Sequence, residues 1–176
     1  GAAVVLGDIL DESSVKRAAE GCEGVFHCAG MVSRKPADAE LLHRTNVDGT
    51  RTVLAASRAA GLRRAVVAST SGTIAVSKTA EIRDESAPAP LELIGPWPYY
   101  RTKLYAEKIA LEQSGPDFEV VCVNPSLLLG PGDLHGSSTG DIESFLEGKV
   151  PVVPAGGLSF VDARDVAPAM LAAMPP

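Results

Sequence analysis

Short apolar runs alternate along this chain with longer segments of helical periodicity, and this alternation limits the possible folds more than any other feature. The runs at residues 3–7, 24–29, 65–68 and 118–123 are predicted to be strands. Strands that are apolar on both faces and separated by helices indicate a parallel sheet covered by helices. With right-handed crossovers, the sequence predicts an α/β fold with a doubly wound parallel sheet.

Helices are predicted between these strands from capping residues and hydrophobic spacing. Ser13 or Ser14 is expected to cap a short helix, and Gly61 to end a long helix at residues 38–60. Pro98 is well placed to begin a helix that continues to about residue 113. Beyond it, we expect a glycine-rich loop at 130–140, a short helix, the pair Val152 and Val153, and a last helix near 165–174.

Polar residues and glycine follow the predicted strands directly, at Asp8, Gly30, Ser69 and Asn124. In doubly wound sheets, ligands bind outside the carboxyl ends of the strands, so these positions are candidates for a binding site. A long loop rich in proline and charge is predicted at residues 78–96, and loops of that length are often functional.

Length and composition restrict the class of protein. The 176 residues suit one domain, and a net charge of −6 argues against nucleic-acid binding. With no apolar run of membrane-spanning length and no signal peptide, we expect a cytoplasmic protein without a membrane partner. Cys28 and Cys122 are expected to be buried thiols, and His27 a core histidine. A metal site at Cys22, His27 and Cys28 is disfavoured.

Tyr99 and Lys103 are four residues apart, so on a helix they share one face. A nearby ammonium lowers the pKa of a phenol, and such a tyrosine can exchange protons with an alcohol or carbonyl near neutral pH. The alternative is a packed aromatic beside a solvated lysine. Tyr100 is a competing candidate, but it lies three residues from Lys103.

Seven segments, in order, resemble those of an extended short-chain dehydrogenase/reductase of the NAD-dependent epimerase/dehydratase family. They are Gly7–Asp11 (GDILD), Val25–Gly30 (VFHCAG), Thr45–Thr50 (TNVDGT), Asp84–Glu85, Asn124–Ser126 (NPS), Gly130–Asp133 (GPGD) and Phe160–Ala167 (FVDARDVA). The stretch from Ile94 to Glu107 is most similar to dihydroflavonol reductase-like proteins and hopanoid-associated sugar epimerases.

The resemblance implies a catalytic set of Ser71, Tyr99 and Lys103. Tyr99 would be the general acid/base, Lys103 would lower its pKa and hold the nicotinamide ribose, and Ser71 would bind the reacting oxygen. Thr70 or Ser69 could replace Ser71 if the loop shifts by one residue, and all three hydroxyls could instead cap a turn.

The resemblance also implies binding of NAD or NADP. The expected cofactor-binding residues are Asp8, Ile9, Cys28, Ala29, Gly30, Asn46, Ser69, Tyr99, Lys103, Asn124, Pro125 and Ser126. Several have a structural alternative: Asp8 as a capping acid, Asn46 as a residue that stabilises a neighbouring loop, and Pro125 as a strand terminator.

One family element is missing: the G-x-x-G-x-x-G loop that binds pyrophosphate lies upstream of residues 3–7 in the family. We therefore expect residues 1–176 to be a single NAD(P)-binding domain that lacks the first βαβ unit and the C-terminal substrate region. Cofactor affinity of this chain alone should then be poor. Residues 3–7 should lack a neighbouring strand, which would leave an exposed edge prone to association. A homodimer is therefore one expected assembly.

The predicted function is an NAD(P)-dependent oxidoreductase or epimerase with a small-molecule substrate. The alternatives are a non-catalytic dinucleotide-binding protein and a truncated, inactive family member. Trp97 and residues 91–94 suggest an apolar or ring-bearing substrate.

Overall fold

The computed structural model describes residues 2–134, 136–152 and 155–174. Its central sheet has three parallel strands in the order β1 (Gly24–His27), β2 (Arg64–Ala68) and β3 (Glu119–Val123). Phe26 is paired with Val66, and Val66 with Val121. The predicted α/β class and the parallel sheet are confirmed, since helices connect the strands in each crossover.

A second, two-stranded parallel sheet pairs β4 (Leu127–Leu129) with β5 (Phe160–Asp162). The sequence analysis missed both strands, because three-residue strands are too short to show a period-2 pattern. Of the predicted pair at 152–153, Val152 is exposed coil and Val153 lies outside the described residues.

The strand predicted at residues 3–7 is wrong. The segment carries no strand assignment, and Val4 and Leu6 are 88% and 89% exposed. A strand exists only through hydrogen bonds to a neighbour, and residues 3–7 pair with no strand in the part of the chain that the structure describes.

Seven α-helices complete the described chain: α1 (Glu12–Ala19), α2 (Ala39–His43), α3 (Gly49–Ala59), α4 (Leu91–Ile94), α5 (Pro98–Glu112), α6 (Thr139–Leu146) and α7 (Ala163–Ala173). The predicted cap of α1 is wrong. Asp11 is the N-cap and accepts a 3.0 Å hydrogen bond from the Ser13 N–H, whereas the Ser14 hydroxyl donates to the Asp8 carbonyl at 2.7 Å. The Ser14 side chain is therefore used to anchor the preceding turn.

The long helix predicted at residues 38–60 is present but irregular. A 3₁₀ turn (Pro36–Asp38) leads into α2, and a π-helical turn (Arg44–Asp48) separates α2 from α3. At the end of this turn the Gly49 N–H donates to the Arg44 carbonyl, five residues back. Such π turns are rare and occur frequently at functional sites.

The main hydrophobic core lies between the central sheet and its helices. Leu54 from α3, Ala110 from α5 and Val67 from β2 pack there around Phe118, and all four side chains are at most 3% exposed. This packing fixes α3 and α5 relative to the sheet, and α5 carries the catalytic candidates.

The cysteine prediction is partly wrong. Cys28 and Cys22 are exposed, and only Cys122 is partly buried. Cys28 follows the last residue of an edge strand, so no second neighbouring strand covers it. Among the described residues no group of three His, Cys, Asp or Glu side chains could hold a metal ion, and no helix there is long and apolar enough to span a membrane.

Candidate active site

Helix α5 presents Tyr99, Lys103 and Glu107 on one face, because these residues are spaced at intervals of four. Pro98 occupies the first turn, where its missing N–H costs no helical hydrogen bond, as predicted. The Lys103 Nζ donates a 2.6 Å hydrogen bond to the carbonyl of Ala68, the last residue of β2. The face therefore lies at the carboxyl end of the central sheet.

The turn after β2 packs against the start of α5. A Cβ placed on Gly72 would lie 2.4 Å from the ring of Tyr100, so only glycine allows this approach. The Tyr100 and Tyr99 rings are in edge contact, with centroids 5.2 Å apart. The 3₁₀ turn that contains Ser71 (Ser71–Thr73) is thus next to the two tyrosines.

The three hydroxyls after β2 have different surroundings. Ser69 is buried and donates to the Glu107 carboxylate. The Thr70 hydroxyl accepts from the Gly72 N–H at 3.2 Å and caps the turn. The hydroxyl of half-buried Ser71 has no hydrogen-bond partner among the described residues, while its backbone N–H donates to the Pro125 carbonyl. Of the three, Ser71 has the hydroxyl available for a ligand.

The electrostatics of the site differ from the sequence-based expectation. The pKa of Tyr99 is raised above 10 by burial and by the neighbouring Tyr100, not lowered by Lys103. The reason is geometric: the Lys103 ammonium is bonded to the Ala68 carbonyl. Burial also lowers the pKa of Lys103. The thiol of Cys122 and the carboxylate of Glu107 raise this pKa and so partly offset the effect of burial.

Asn46, at the centre of the π turn, is a buried hydrogen-bonding hub. Its Oδ1 accepts from the Met31 N–H at 2.7 Å, and its Nδ2 donates to the Met31 carbonyl at 3.0 Å. The same amide is 3.1 Å from the Thr102 hydroxyl on α5, which donates to the Tyr99 carbonyl. Asn46 therefore joins the loop after β1 to α5, so it stabilises a neighbouring loop, the structural alternative given for it above. Its contact with cofactor stays a prediction.

The carboxylate of Glu107 is a second hub, which sequence reasoning missed. Its Oε2 accepts from Ser69 Oγ and from Asn124 Nδ2 at 2.8 Å. It is also 2.9 Å from Thr73 Oγ1, whose single proton is shared with the Thr70 carbonyl at 2.8 Å. Glu107 lies four residues after Lys103 and eight after Tyr99, and this spacing could have revealed that it shares their helix face. Asn124 and Ser69 were predicted to bind cofactor, and their side chains here are held by Glu107.

Several of the predicted cofactor residues meet at one cavity of about 240 Å³ between the N-terminal segment and β1. Asp8, Ile9, Cys28 and Ala29 are all in its wall, although they come from two separate segments. Gly30 lies just beyond, where a Cβ would be 3.3 Å from Asn46 Oδ1. The Asp8 carboxylate also accepts from the Leu10 N–H at 2.9 Å, so it has a local role in the turn.

The remaining family-like segments have structural roles. Pro125 and half-buried Ser126 join β3 to β4. Asp133, in the glycine-rich loop, accepts from the Ser138 and Thr139 N–H groups at 2.9 and 3.0 Å, and these backbone donors hold its pKa well below the usual range. Asp84 accepts from the Ser86 N–H and hydroxyl. Pro125 and Ser126 thus lie at the carboxyl end of β3, whereas Asp84 and Asp133 have local roles in turns.

His27 is a satisfied core histidine, as predicted. It is 4% exposed, and its Nε2 is 2.9 Å from the Thr50 hydroxyl. That hydroxyl uses its single proton on the Asn46 carbonyl, at 2.6 Å, so Nε2 carries the hydrogen and Nδ1 is the unprotonated nitrogen. Burial, with a smaller contribution from Lys103, lowers the pKa of His27 to about 4.

Acidification should therefore destabilise the fold through His27. Between pH about 6.5 and 4 the unfolded chain binds a proton at this position and the folded chain does not, so stability falls as pH falls. Urea unfolding should show a loss of about 2 kcal/mol between pH 7 and pH 5. His27→Gln should flatten this dependence, while the exposed control His43→Gln should keep it. An equal slope in all three proteins would contradict the role of His27.

Comparison with known proteins now gives the family. The sequence pattern of the NAD dependent epimerase/dehydratase family matches residues 2–176. The chain belongs to this family. The relationship predicted from the seven segments is thereby confirmed.

Two family relatives and two solved structures illustrate the similarity. The chain is 39% identical over 165 residues to a putative dihydroflavonol 4-reductase of Synechocystis sp., covering 93% of the chain and 47% of the relative. It is 32% identical over 169 residues to sterol demethylase protein B of Methylococcus capsulatus, covering 96% and 51%. The chain therefore spans about half the length of these curated relatives.

Among solved structures, gox2253 superposes with a TM-score of 0.87 at 27% identity, covering 98% of the chain and 52% of that protein. MoeE5 in complex with UDP-glucose and NAD gives a TM-score of 0.71 at 27% identity, covering 94% and 56%. These similarities confirm the Rossmann-like fold of this family member.

Proposed function

We propose that this chain carries the catalytic part of an NAD(P)-dependent oxidoreductase or epimerase that acts at a carbinol or carbonyl carbon of a small organic or sugar substrate. The observation that carries the proposal is the shared face of Tyr99 and Lys103 on α5, next to the Ser71 turn and at the carboxyl end of β2. A phenol, an ammonium and a hydroxyl without a partner are the groups that proton exchange with an alcohol requires.

Each side chain has one role in the proposed reaction. Tyr99 takes the proton of the substrate hydroxyl during oxidation and returns it during reduction. The Ser71 hydroxyl donates a hydrogen bond to the same oxygen. Lys103 supplies the positive charge that favours the phenolate, and this requires its ammonium to turn from the Ala68 carbonyl toward Tyr99. A bound nicotinamide nucleotide would accept or deliver the hydride.

The cavity beside β1 is compatible with part of that nucleotide. Its wall combines apolar side chains with the carboxylate of Asp8 and the exposed residues Cys28 and Ala29. At about 240 Å³ it is smaller than the roughly 300–1,000 Å³ of typical ligand pockets. It would therefore hold only one end of a dinucleotide, and the other end would extend along Gly30 toward Tyr99. MoeE5, which was solved with NAD, supports this choice of cofactor.

The proposal also extends to cell location and assembly. We propose a cytoplasmic protein, supported by three free cysteines, which suit a reducing compartment. A homodimer is supported by β1, which lies at the edge of the sheet in the described part of the chain and carries Phe26, 41% exposed.

Titration with NADH and NADPH tests the proposal most directly. Trp97 is the only tryptophan of this chain and lies two residues before Tyr99. In the complete product of the gene, binding of either reduced nucleotide should therefore quench Trp97 emission and sensitise nicotinamide emission. Trp97→Phe is the control that removes this signal without removing affinity. Failure of both nucleotides to bind would overturn the proposal.

A second candidate is a non-catalytic dinucleotide-binding protein. The observation in its favour is that the Lys103 ammonium is bonded to the Ala68 carbonyl and makes no hydrogen bond to the Tyr99 hydroxyl among the described residues. Retention of Ser71, Tyr99 and Lys103 together favours the enzyme. Nucleotide binding without turnover of any carbonyl or sugar substrate would favour the second candidate.

A further inference from the structure

The partly buried polar contacts around Glu107 are not explained by the roles given to Ser71, Tyr99 and Lys103. Glu107 lies one helical turn beyond Lys103 on α5. Its carboxylate accepts from the side chains of Ser69 and Asn124, which follow β2 and β3 directly. Two side-chain donors converge on one oxygen, which suits a carboxylate because it only accepts hydrogen bonds.

Two consecutive turns of α5 thereby hold two consecutive residues at the end of β2. Lys103 bonds the Ala68 carbonyl, and Glu107 bonds the Ser69 hydroxyl. Ser71 follows two residues later, and its backbone is held by the Pro125 carbonyl, next to Asn124. The position of the Ser71 hydroxyl relative to Tyr99 therefore depends on both strand ends that Glu107 joins.

We propose that Glu107 is a positioning residue of the active site: its carboxylate fixes the ends of β2 and β3 to the helix that carries Tyr99 and Lys103, and it places a carboxylate one helical turn from the Lys103 ammonium. The inference rests on the proposed function. Glu107 acts through Ser69, Asn124 and Lys103.

The charge of Glu107 also matters for Lys103, which burial tends to neutralise. The titratable groups that face Lys103 are the thiols of Cys28 and Cys122, the carboxylate of Glu107 and the imidazole of His27. Burial raises the pKa of Cys122 to about 12, and burial raises the pKa of the Cys28 thiol. Burial likewise keeps His27 neutral at pH 7. Glu107 is therefore the neighbour whose negative charge supports the ammonium near neutral pH.

Glu107→Gln and Glu107→Ala in the complete gene product separate the two roles. Glutamine keeps an oxygen acceptor for Ser69 and Asn124 but removes the charge that strengthens these hydrogen bonds, so we expect turnover to fall about tenfold. The alkaline limb of the pH profile should also move to lower pH, because Lys103 loses its proton earlier. Alanine removes the acceptor too, and turnover should fall about a hundredfold, the scale of a misplacement of about 1 Å. Glu112→Gln, on an exposed position of α5, is the matched control.

A titration of Lys103 followed by NMR makes the test independent of turnover. In Glu107→Gln the pKa of Lys103 should be lower than in the unsubstituted protein and in Glu112→Gln. Should the unsubstituted protein show no turnover, the proposed function fails, while this titration still decides on Glu107. Should Glu107→Ala not fold, Glu107→Gln decides alone. An unchanged Lys103 pKa, or an unchanged pH profile in a folded Glu107→Gln protein, overturns the inference.

Discussion

Replacing Tyr99 with phenylalanine should lower turnover by about a hundredfold or more, the usual contribution of general acid–base catalysis. Phenylalanine keeps the ring in edge contact with Tyr100, 5.2 Å away, so the packing at the start of α5 should persist. The variant lacks only the hydroxyl for which we propose proton exchange with the substrate. Affinity for NADH or NADPH should stay within about twofold, because the change leaves the cavity beside β1 intact. Steady-state kinetics and nucleotide titration measure the two effects separately.

Two further tyrosines of α5 provide controls for this substitution. Tyr105→Phe, at a position 37% exposed, should leave turnover unchanged. Tyr100→Phe should have a small effect, because its ring packs over Gly72 and phenylalanine keeps that contact. Equal turnover in Tyr99→Phe and the unsubstituted protein would refute the assignment. A large loss in Tyr100→Phe alone would transfer the acid–base role to Tyr100.

Truncating Phe118 to alanine should cost about 3–5 kcal/mol of unfolding free energy, the usual range for a buried phenylalanine. Phe118 is fully buried and immediately precedes β3, where it packs with Leu54, Val67 and Ala110. The cavity left by the ring would loosen the contact between the central sheet and the helices α3 and α5. Urea unfolding at pH 7 measures the change as a shift in midpoint at constant slope.

Phe145→Ala is the matched control for this core substitution. Phe145 lies on α6 and is 59% exposed, so its loss should change stability by less than about 0.5 kcal/mol. Comparable losses in Phe118→Ala and Phe145→Ala would mean that the described core is not the part of the chain that limits stability.

The sequence predicted the central sheet and α5 because both depend on local patterns. The apolar runs that became β1, β2 and β3 are confirmed as parallel strands within one or two residues of their predicted ends. Pro98 marked the start of α5. The placement of Tyr99 and Lys103 on one face followed from their spacing alone, and the roles assigned to them and to Ser71 stay predictions.

The errors concern features that depend on partners distant in the sequence. Residues 3–7 are as apolar as β2, but a strand also requires a neighbour for its backbone hydrogen bonds. The exposure of Cys28 depends on the strand order, which composition does not reveal. In the sequence, Glu107 resembles a charged residue on the solvent face of a helix. Only the fold brings the ends of β2 and β3 next to its carboxylate.

The π turn also sets the rotational phase of the helix that it interrupts. In an uninterrupted α-helix, residues twelve apart differ in direction by about 120°, since each residue turns about 100°. The turn at Arg44–Asp48 accommodates one extra residue, which reduces this difference to about 20°. Leu42 before it and Leu54 after it can thus both be fully buried. Deletion of one residue at this turn would therefore keep both leucines buried only if the π turn became regular helix. That change would move Asn46 from its present position.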